Sequence, residues 1–486
     1  MENRILAATE PVEVFRYFED LTRIPRESGN EAAVCAYLVE FAKAHNLEYQ
    51  TDDVYNIIMR KPATPGLENR RCIILQAHMD MVPQKTPESK HDFYKDPIKT
   101  IVKGDWLYAD DTTLGADNGI GVAAIMAVME DNTMQHGPLE ALITIDEETG
   151  LVGAFGLKAG ELQGNILLNL DSEEEGVMYI GCAGGIDFSA KMEFMAEEPI
   201  EDDIAVKVCL KGLRGGHSGV EINEGRGNAN KLMARFMREA IDECGVSLAS
   251  WNGGNMRNAI PASCEVVVTL PDEAVGELTD IAAKYEALFN SEYAGIEEGI
   301  TLRVEATDMP ENVVPEEIED NLLDAILACH NGPLRFIPTI PDTVETSSNL
   351  SIINIADGFA EVDILIRSSC ESMKEYLALQ LSSCFAMAGM KVELSGSYTG
   401  WQPNVKSPLL ASVKEAYSTL FGKEPEVRVI HAGLECGILS TNYPDMDMIS
   451  FGPTLLSPHS PTERIEIASV DKFYSLIKTL IINGVK

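Results

Sequence analysis

The chain has 486 residues, 45% of them hydrophobic, with 77 acidic side chains against 38 Lys and Arg and a formal net charge of -39. That length exceeds one ordinary core and predicts two domains, or one domain with a large insertion. The charge excludes nucleic acid and anionic membrane surfaces as partners, because both repel it. No basic-then-apolar leader opens the sequence and no apolar run is long enough to span a bilayer, so a cytoplasmic location is expected. Ten cysteines are scattered without a C-x-x-C pair and read as reduced core residues.

In chain order, Thr9-Glu-Pro-Val starts a predicted helix, with Thr9 as candidate cap and Val12, Phe15, Phe18 and Leu21 at helical spacing. A second helix follows Ile24-Pro-Arg-Glu-Ser-Gly-Asn-Glu31 and runs to about His45. Ser28 or Asn30 would cap it, and Val34, Tyr37, Leu38, Phe41 and Ala42 form its buried stripe. Residues 56–60 and 72–80 read as strands, the second so continuously apolar that its sheet must be covered on both faces. It ends in His78-Met-Asp80. Side chains two apart on a strand share a face, so this pair can address one centre, one as metal ligand and the other as the partner that fixes the imidazole. Alone, the pair reads equally as a structural histidine–aspartate hydrogen bond.

Asp117 stands at the start of a helix that is apolar nearly all round from Val122 to Met129. A carboxylate at a helix N-terminus has a structural explanation, but the glycines flanking Asp117 also let the backbone approach a ligand closely. The strand from Leu139 runs into Ile143-Thr-Ile-Asp-Glu-Glu-Thr-Gly150. Successive strand residues face opposite ways, so Glu147 and Glu148 can serve one site only where the strand is bending into a loop. Glu148 is then a candidate metal ligand and Glu147 a general base standing one water away. The strand at 165–171 ends in Asp171, a further ligand candidate, whereas Glu173-Glu-Glu175 reads as solvated loop charge. Strand carboxyl ends are where open α/β sheets place their sites, and a core gains nothing from acids at those ends.

Between about 190 and 395 the texture shifts to shorter strands alternating with amphipathic helices: strands at 205–210, 264–270, 299–306, 359–367 and 391–395, helices at 228–243, 318–331 and 373–387. This reads as two α+β units in tandem. Gly215-Gly-His-Ser-Gly219, Asn258-Ala-Ile-Pro261 and Arg367 are polar features that packing does not explain. A helix from Leu409 to Phe421 follows, then His431-Ala-Gly-Leu-Glu-Cys-Gly437, and His459 lies in a loop stiffened by Pro458 and Pro461.

Together, His78-x-Asp80, Asp117, Glu147-Glu148, Asp171 and His459 resemble the ligand set of the co-catalytic dizinc exopeptidases related to carboxypeptidase, aminoacylase and carnosinase. Ile24-Pro-Arg-x-Ser-Gly-Asn-Glu, Ala77-His-Met-Asp-Met-Val-Pro83, Leu114-Gly-Ala-Asp-Asn-Gly-Ile-Gly121 and the motif at 431–437 resemble bacterial dipeptidase members, and the likeness runs the whole chain. It implies an α/β catalytic domain, a mixed sheet sandwiched by helices, in two parts (1–190 and 397–486) around an inserted α+β lid (191–396). It further implies that one metal takes His78, Asp117 and Asp171 and the other takes Asp117, Glu148 and His459. Asp80 would orient His78, and Glu147 would be the base. A cis peptide would follow Asp117. His217 of the lid would stabilise the oxyanion, Arg367 would hold the substrate carboxylate beside Asn258, and Glu435 is a candidate for meeting the substrate amine.

The expected function is therefore a metal-dependent dipeptidase of broad specificity, Xaa-His substrates included. It would act through water activated between two divalent ions, zinc foremost, with cobalt or manganese as other candidates. An N-acyl amino acid deacylase or tripeptidase on the same site is the alternative within the class, and a non-catalytic peptide-binding relative the alternative outside it. A homodimer is among the assemblies allowed; because the insertion is longer than one small lid requires, His217 is expected to serve its own chain.

Overall fold

Ile73-Ile-Leu-Gln-Ala-His78 has no polar alternation, and in the computed structural model, which describes residues 5–485, all six residues are buried. The chain divides into two units: residues up to Gly181 with Trp401–Val429 and Leu434 onward, and Cys182–Gly400 with Ile430–Gly433.

In the first unit Ile73–His78 lies within an eight-stranded sheet ordered Glu48–Thr51, Ile57–Lys61, Leu139–Thr144, Ile73–His78, Ile166–Asn169, Asp447–Ser450, Val177–Cys182, Glu426–Ile430. The strands from Leu139–Thr144 to Asp447–Ser450 run parallel, and antiparallel pairing begins on either side of them. The sheet is therefore mixed. Strands buried at every position need cover on both faces. Helix Ala116–Glu130 packs on Ile73–His78 and against Val12–Leu21, while Pro408–Phe421 packs on Asp447–Ser450 and against Ile467–Asn483. The parallel run brings four strand carboxyl ends to one edge.

Helix ends differ from the sequence expectation. The first helix begins at Val12 with Pro11 as its cap, not Thr9. The second, Ala32–Ala44, is capped at Glu31 without a side-chain bond, because Ser28 and Asn30 are used elsewhere: Ser28 Oγ donates to Asp80 Oδ2 at 2.8 Å and Asn30 Nδ2 to Glu27 Oε1 at 3.0 Å. Tyr37 of the expected stripe is half-buried.

The second unit is built on an antiparallel sheet ordered Thr301–Ala306, Ile204–Lys211, Cys264–Leu270, Ser247–Gly253, Val344–Ala356, Phe359–Ser368, Gly184–Glu193, Lys391–Tyr398, with Gly332–Phe336 also paired to Val344–Ala356. The two α+β runs expected in tandem thus share one sheet, joined where Ser247–Gly253 pairs with Val344–Ala356. Helices Ala229–Cys244, Val275–Glu292, Glu316–Ala328 and Glu371–Met387 contribute to a continuous core with Phe188, Trp251, Phe236, Phe289 and Phe385. No described helix is long and apolar enough to cross a membrane.

Candidate functional site

The carboxyl-edge residues of the parallel strands converge. His78 ends one strand; Leu139–Thr144 leads into the turn carrying Glu147 and Glu148, Ile166–Asn169 leads to Asp171, and Asp447–Ser450 leads toward the loop of His459. Asp146 takes a left-handed backbone conformation (φ 48°), which supplies the bend that lets neighbouring glutamates turn toward one place. Asp117 sits on a non-helical step inside helix Ala116–Glu130, and its peptide bond to Asn118 is cis.

Asp117 lies at the centre. Its Oδ1 is 3.1 Å from His78 Nε2 and its Oδ2 is 3.1 Å from His459 Nε2. His78 Nε2 is also 3.2 Å from Asp171 Oδ1, and His459 Nε2 is 3.0 Å from Glu148 Oε2. Two donor groups result, His78–Asp117–Asp171 and Asp117–Glu148–His459, sharing one carboxylate. Each offers one imidazole nitrogen and two carboxylates, a set suited to a divalent cation of borderline or hard character. Glu148 Oε1 is buried without a hydrogen-bond partner, as a ligand-facing atom would be. The residues present therefore fit a pair of divalent ions.

Asp80 orders the surroundings. Its Oδ1 lies 3.2 Å from His78 Nδ1 and accepts the Glu147 N–H at 3.1 Å; its Oδ2 accepts from Glu148 N–H at 3.3 Å and from Ser28 Oγ. Burial pushes its carboxyl up, but these hydrogen bonds, His78 first, bring it down to about 2. Burial, opposed by His78 and reinforced by Asp171, Glu435 and Glu148, holds the Glu147 carboxyl well above its ordinary range.

Several contributors were not legible as site residues. Glu463, 2% exposed, accepts N–H groups of Leu114, Gly115 and Ala116 at 2.7, 2.9 and 2.7 Å and of Asp117 at 3.2 Å, fixing the approach to the central aspartate. Arg26, also 2% exposed, donates Nη1 to the carbonyls of Met79 and Asp80 at 3.0 Å and Nη2 to that of Gly115. Arg26 occurs in a stretch quoted above and Glu463 follows the loop of His459, but nothing in their spacing marks them. Glu173, expected as a solvated charge, is instead held largely out of water, which together with Asp117 and Asp171 pushes its carboxyl up to about 8. Glu435, expected at the substrate amine, is fully buried and its Oε2 accepts from Gln76 Nε2 and from Thr144 Oγ1 at 2.9 Å. It lies beneath the strand ends, and its Oε1 is buried without a hydrogen-bond partner.

His217, Asn258 and Arg367 belong to the second unit. His217 Nδ1 accepts the N–H groups of Gly219 and Val220, both at 3.1 Å, so its proton resides on Nε2. Burial, then the Arg367 charge, pushes it down to about 4 and keeps it neutral. His217 pairs with Ala259 across a short two-stranded ladder, and the Asn258 carbonyl accepts from Ser218 N–H at 2.8 Å. Arg367 is 6% exposed; its Nε is 3.5 Å from Ser218 Oγ and its Nη1 donates to Tyr398 Oη at 3.2 Å. Among the described residues no carboxylate lies within ion-pair distance of it.

Residues 74–483 match the model of the peptidase family described as M20/M25/M40. The chain is 42% identical over 476 residues to the cytosol non-specific dipeptidase of Escherichia coli, covering 98% of each. It resembles the crystal structure of aminoacylhistidine dipeptidase from Vibrio alginolyticus at 41% identity and a TM-score of 0.91, covering 99% of this chain and 98% of that one. A tripeptidase from Staphylococcus aureus shares the fold, at 17% identity and a TM-score of 0.57 over 98% of each chain. Two donor groups joined through one aspartate, on a mixed α/β unit matched along nearly its whole length, agree with these likenesses, and the chain belongs to peptidase family M20/M25/M40.

Proposed function

We propose that the protein is a cytoplasmic, metal-dependent dipeptidase that hydrolyses unblocked dipeptides of varied sequence, Xaa-His among them. The observation that carries the reading is the pair of donor groups sharing Asp117, with Glu147 beside them on the backbone that Asp80 holds. The relatives at 42% and 41% identity over nearly full length are dipeptidases by name; the tripeptidase likeness, at 17% identity, is one of fold.

His78, Asp117 and Asp171 would hold one ion and Asp117, Glu148 and His459 the other, zinc being the ion this mixed nitrogen and oxygen set suits best, with cobalt or manganese able to replace it. When bound, such ions polarise the scissile carbonyl and make water nucleophilic near neutral pH. Glu147 takes a proton from the attacking water onto its carboxylate and passes it to the leaving amine nitrogen, so the base of the first step is the acid of the second. Asp80 keeps the His78 ring and the Glu147 backbone in place while that proton moves. His217, neutral with its proton on Nε2, is suited to donate to the oxyanion as negative charge develops. Arg367, a buried guanidinium without an acidic partner among the described residues, is suited to the free carboxylate of the substrate, whose two oxygens match its planar fork. Asn258 stands in the segment that closes over Ser218 and is proposed to line the same place.

The test is hydrolysis of a dipeptide, a tripeptide and an N-acyl amino acid by metal-loaded protein, before and after chelation. The reading expects turnover mainly of the dipeptide, abolished by chelator and restored by a divalent ion. Preference for the acylated amino acid or the tripeptide, or turnover indifferent to chelation, would overturn it.

A further inference from the structure

Four neighbouring strands of the second unit place Ser347, Arg367, Gly185 and Tyr398 in one row: Ser347 is the register partner of Arg367, Arg367 of Gly185, and Gly185 of Tyr398. Register partners in an antiparallel sheet project from the same face. Gly185 has no side chain to fill its place in the row, and a Cβ built there would stand 2.6 Å from the Tyr398 ring. The ring occupies that gap, and a Cβ on Gly433 would come within 3.3 Å of it as well. Through the gap the hydroxyl reaches Arg367 Nη1 at 3.2 Å. Lys374, 1% exposed, pins the end of this edge strand by donating Nζ to the Tyr398 carbonyl at 2.7 Å and to Ser397 Oγ at 3.2 Å.

The hydrogen-bond inventory around the hydroxyl is incomplete on one side. Its oxygen accepts from Arg367, yet among the described residues no acceptor stands within hydrogen-bonding distance of its own proton. Burial raises its pKa, so the proton stays on the oxygen. Among the described residues, a buried guanidinium with no ion-pair partner and a phenol with an unspent donor meet at one point. Both lack the same thing, an anion with oxygen acceptors.

We propose that Tyr398 is a specificity-determining residue whose hydroxyl donates to the free carboxylate of the dipeptide alongside Arg367, an inference that rests on the reading of Arg367 as the receptor for that carboxylate. Arg367 supplies the charge; Tyr398 supplies a neutral donor that an amide cannot match as well as a carboxylate can. Gly185 is the position that makes the contact sterically feasible.

The experiment compares a dipeptide with its C-terminal amide in wild type, Tyr398→Phe, Gly185→Ala, Arg367→Ala and the Arg367→Ala/Tyr398→Phe double variant, with metal content and thermal midpoint checked for each. Tyr398→Phe, which deletes one oxygen, is expected to raise KM for the acid about tenfold, the usual worth of one hydrogen bond to a charged group, with kcat within about twofold and the amide unaffected. Gly185→Ala, which keeps the hydroxyl but displaces the ring, should behave likewise; if it does not fold, Tyr398→Phe decides alone. The double variant should have a KM for the acid above that of Arg367→Ala, because a residue that acted only by positioning Arg367 would have nothing left to lose. An unchanged acid KM in Tyr398→Phe, an equal rise for acid and amide, or no further rise in the double variant would overturn the proposal. If Arg367→Ala itself retains the wild-type preference for acid over amide, the reading of Arg367 fails and Tyr398 with it; if Arg367→Ala loses the preference while Tyr398→Phe keeps it, only Tyr398 is refuted.

Discussion

Glu147 and Glu148 are neighbours whose side chains have different surroundings. Glu148 lies 3.0 Å from His459, whereas among the described residues Glu147 makes no ion pair with an imidazole and only stands within 4.8 Å of His78. Glu147→Gln is therefore expected to retain its metals, measured by elemental analysis after dialysis, and to lose roughly 10²–10⁴ in kcat, the range for a general acid-base group. Glu148→Gln is expected to lose metal under the same dialysis. Should both variants lose metal alike, the division of labour is wrong. Two histidines of the second unit give a pH signature. Burial, then Arg367, pushes His217 down to about 4 and His431 down to about 3, against an ordinary value of 6.5. Between those limits the unfolded chain binds protons at these two positions that the folded chain refuses, so their contribution to stability is complete above pH 6.5 and is lost as the pH drops toward 4 and then 3. The effect is read by difference: between pH 7 and 5 the denaturation midpoint of His431→Asn, relative to wild type, should rise as the pH falls, because one of the two groups has been removed. A difference that stays constant with pH would count against the assignment. At this scale the donor residues that the structure brings together were legible because acids at apolar strand ends are chemically conspicuous. Glu463 and Arg26 were not, because what they bind is backbone, which leaves no mark on side-chain spacing.

Elements were legible where apolar periodicity carried them. Cys264–Leu270 and Phe359–Ser368 alternate or run apolar and were expected within a residue of their observed ends. Val344–Ala356 was missed because Thr-Ser-Ser-Asn-Leu-Ser reads as loop. It is a buried strand all the same, since each polar side chain finds a partner: Thr346 Oγ1 with Ser368 Oγ at 2.8 Å, Ser347 Oγ with His431 Nε2 at 2.7 Å, Ser348 Oγ with His330 Nδ1 at 2.7 Å, Asn349 Nδ2 with the Ala259 carbonyl at 2.7 Å. Helix Ala229–Cys244 depends on Asn228, whose Oδ1 accepts from Asn230 and Lys231 N–H while its Nδ2 donates to the Leu350 carbonyl at 2.9 Å. Asn228→Ala removes the cap and leaves a buried carbonyl of the central strand without that donor. The expected loss is about 1–3 kcal/mol, read as a lower denaturant midpoint with unchanged slope; a midpoint equal to wild type would show that neither bond contributes.

For the whole molecule, a net charge of -39 sets a negative field that any charged substrate must cross. A dipeptide bearing Lys is expected to lose kcat/KM as ionic strength rises from low to about 0.3 M, and one bearing Glu to gain, each by roughly two- to fivefold, because salt screens attraction and repulsion alike. Steady-state kinetics at two salt concentrations decide it, and parallel responses would indicate that local contacts outweigh the field. The sequence texture changes near residue 190, whereas the two units divide at Cys182, since Gly184–Glu193 is a strand of the second unit's sheet. The single sheet of the second unit was not visible in the sequence, since the strand that joins its halves is the polar one discussed above.

The hydrogen bonds of Asp80 bear on how such a site can change over generations. One carboxylate holds the His78 ring and both backbone N–H groups of Glu147 and Glu148. A lineage turning this protein into a silent binder could do so by altering Glu147 alone, leaving the rest intact. No comparable half-measure exists at Asp80, where a single substitution disturbs the proposed ligand His78 and the proposed base Glu147 together. Descendants that keep the metals but abandon hydrolysis should therefore retain Asp80 long after Glu147 has drifted.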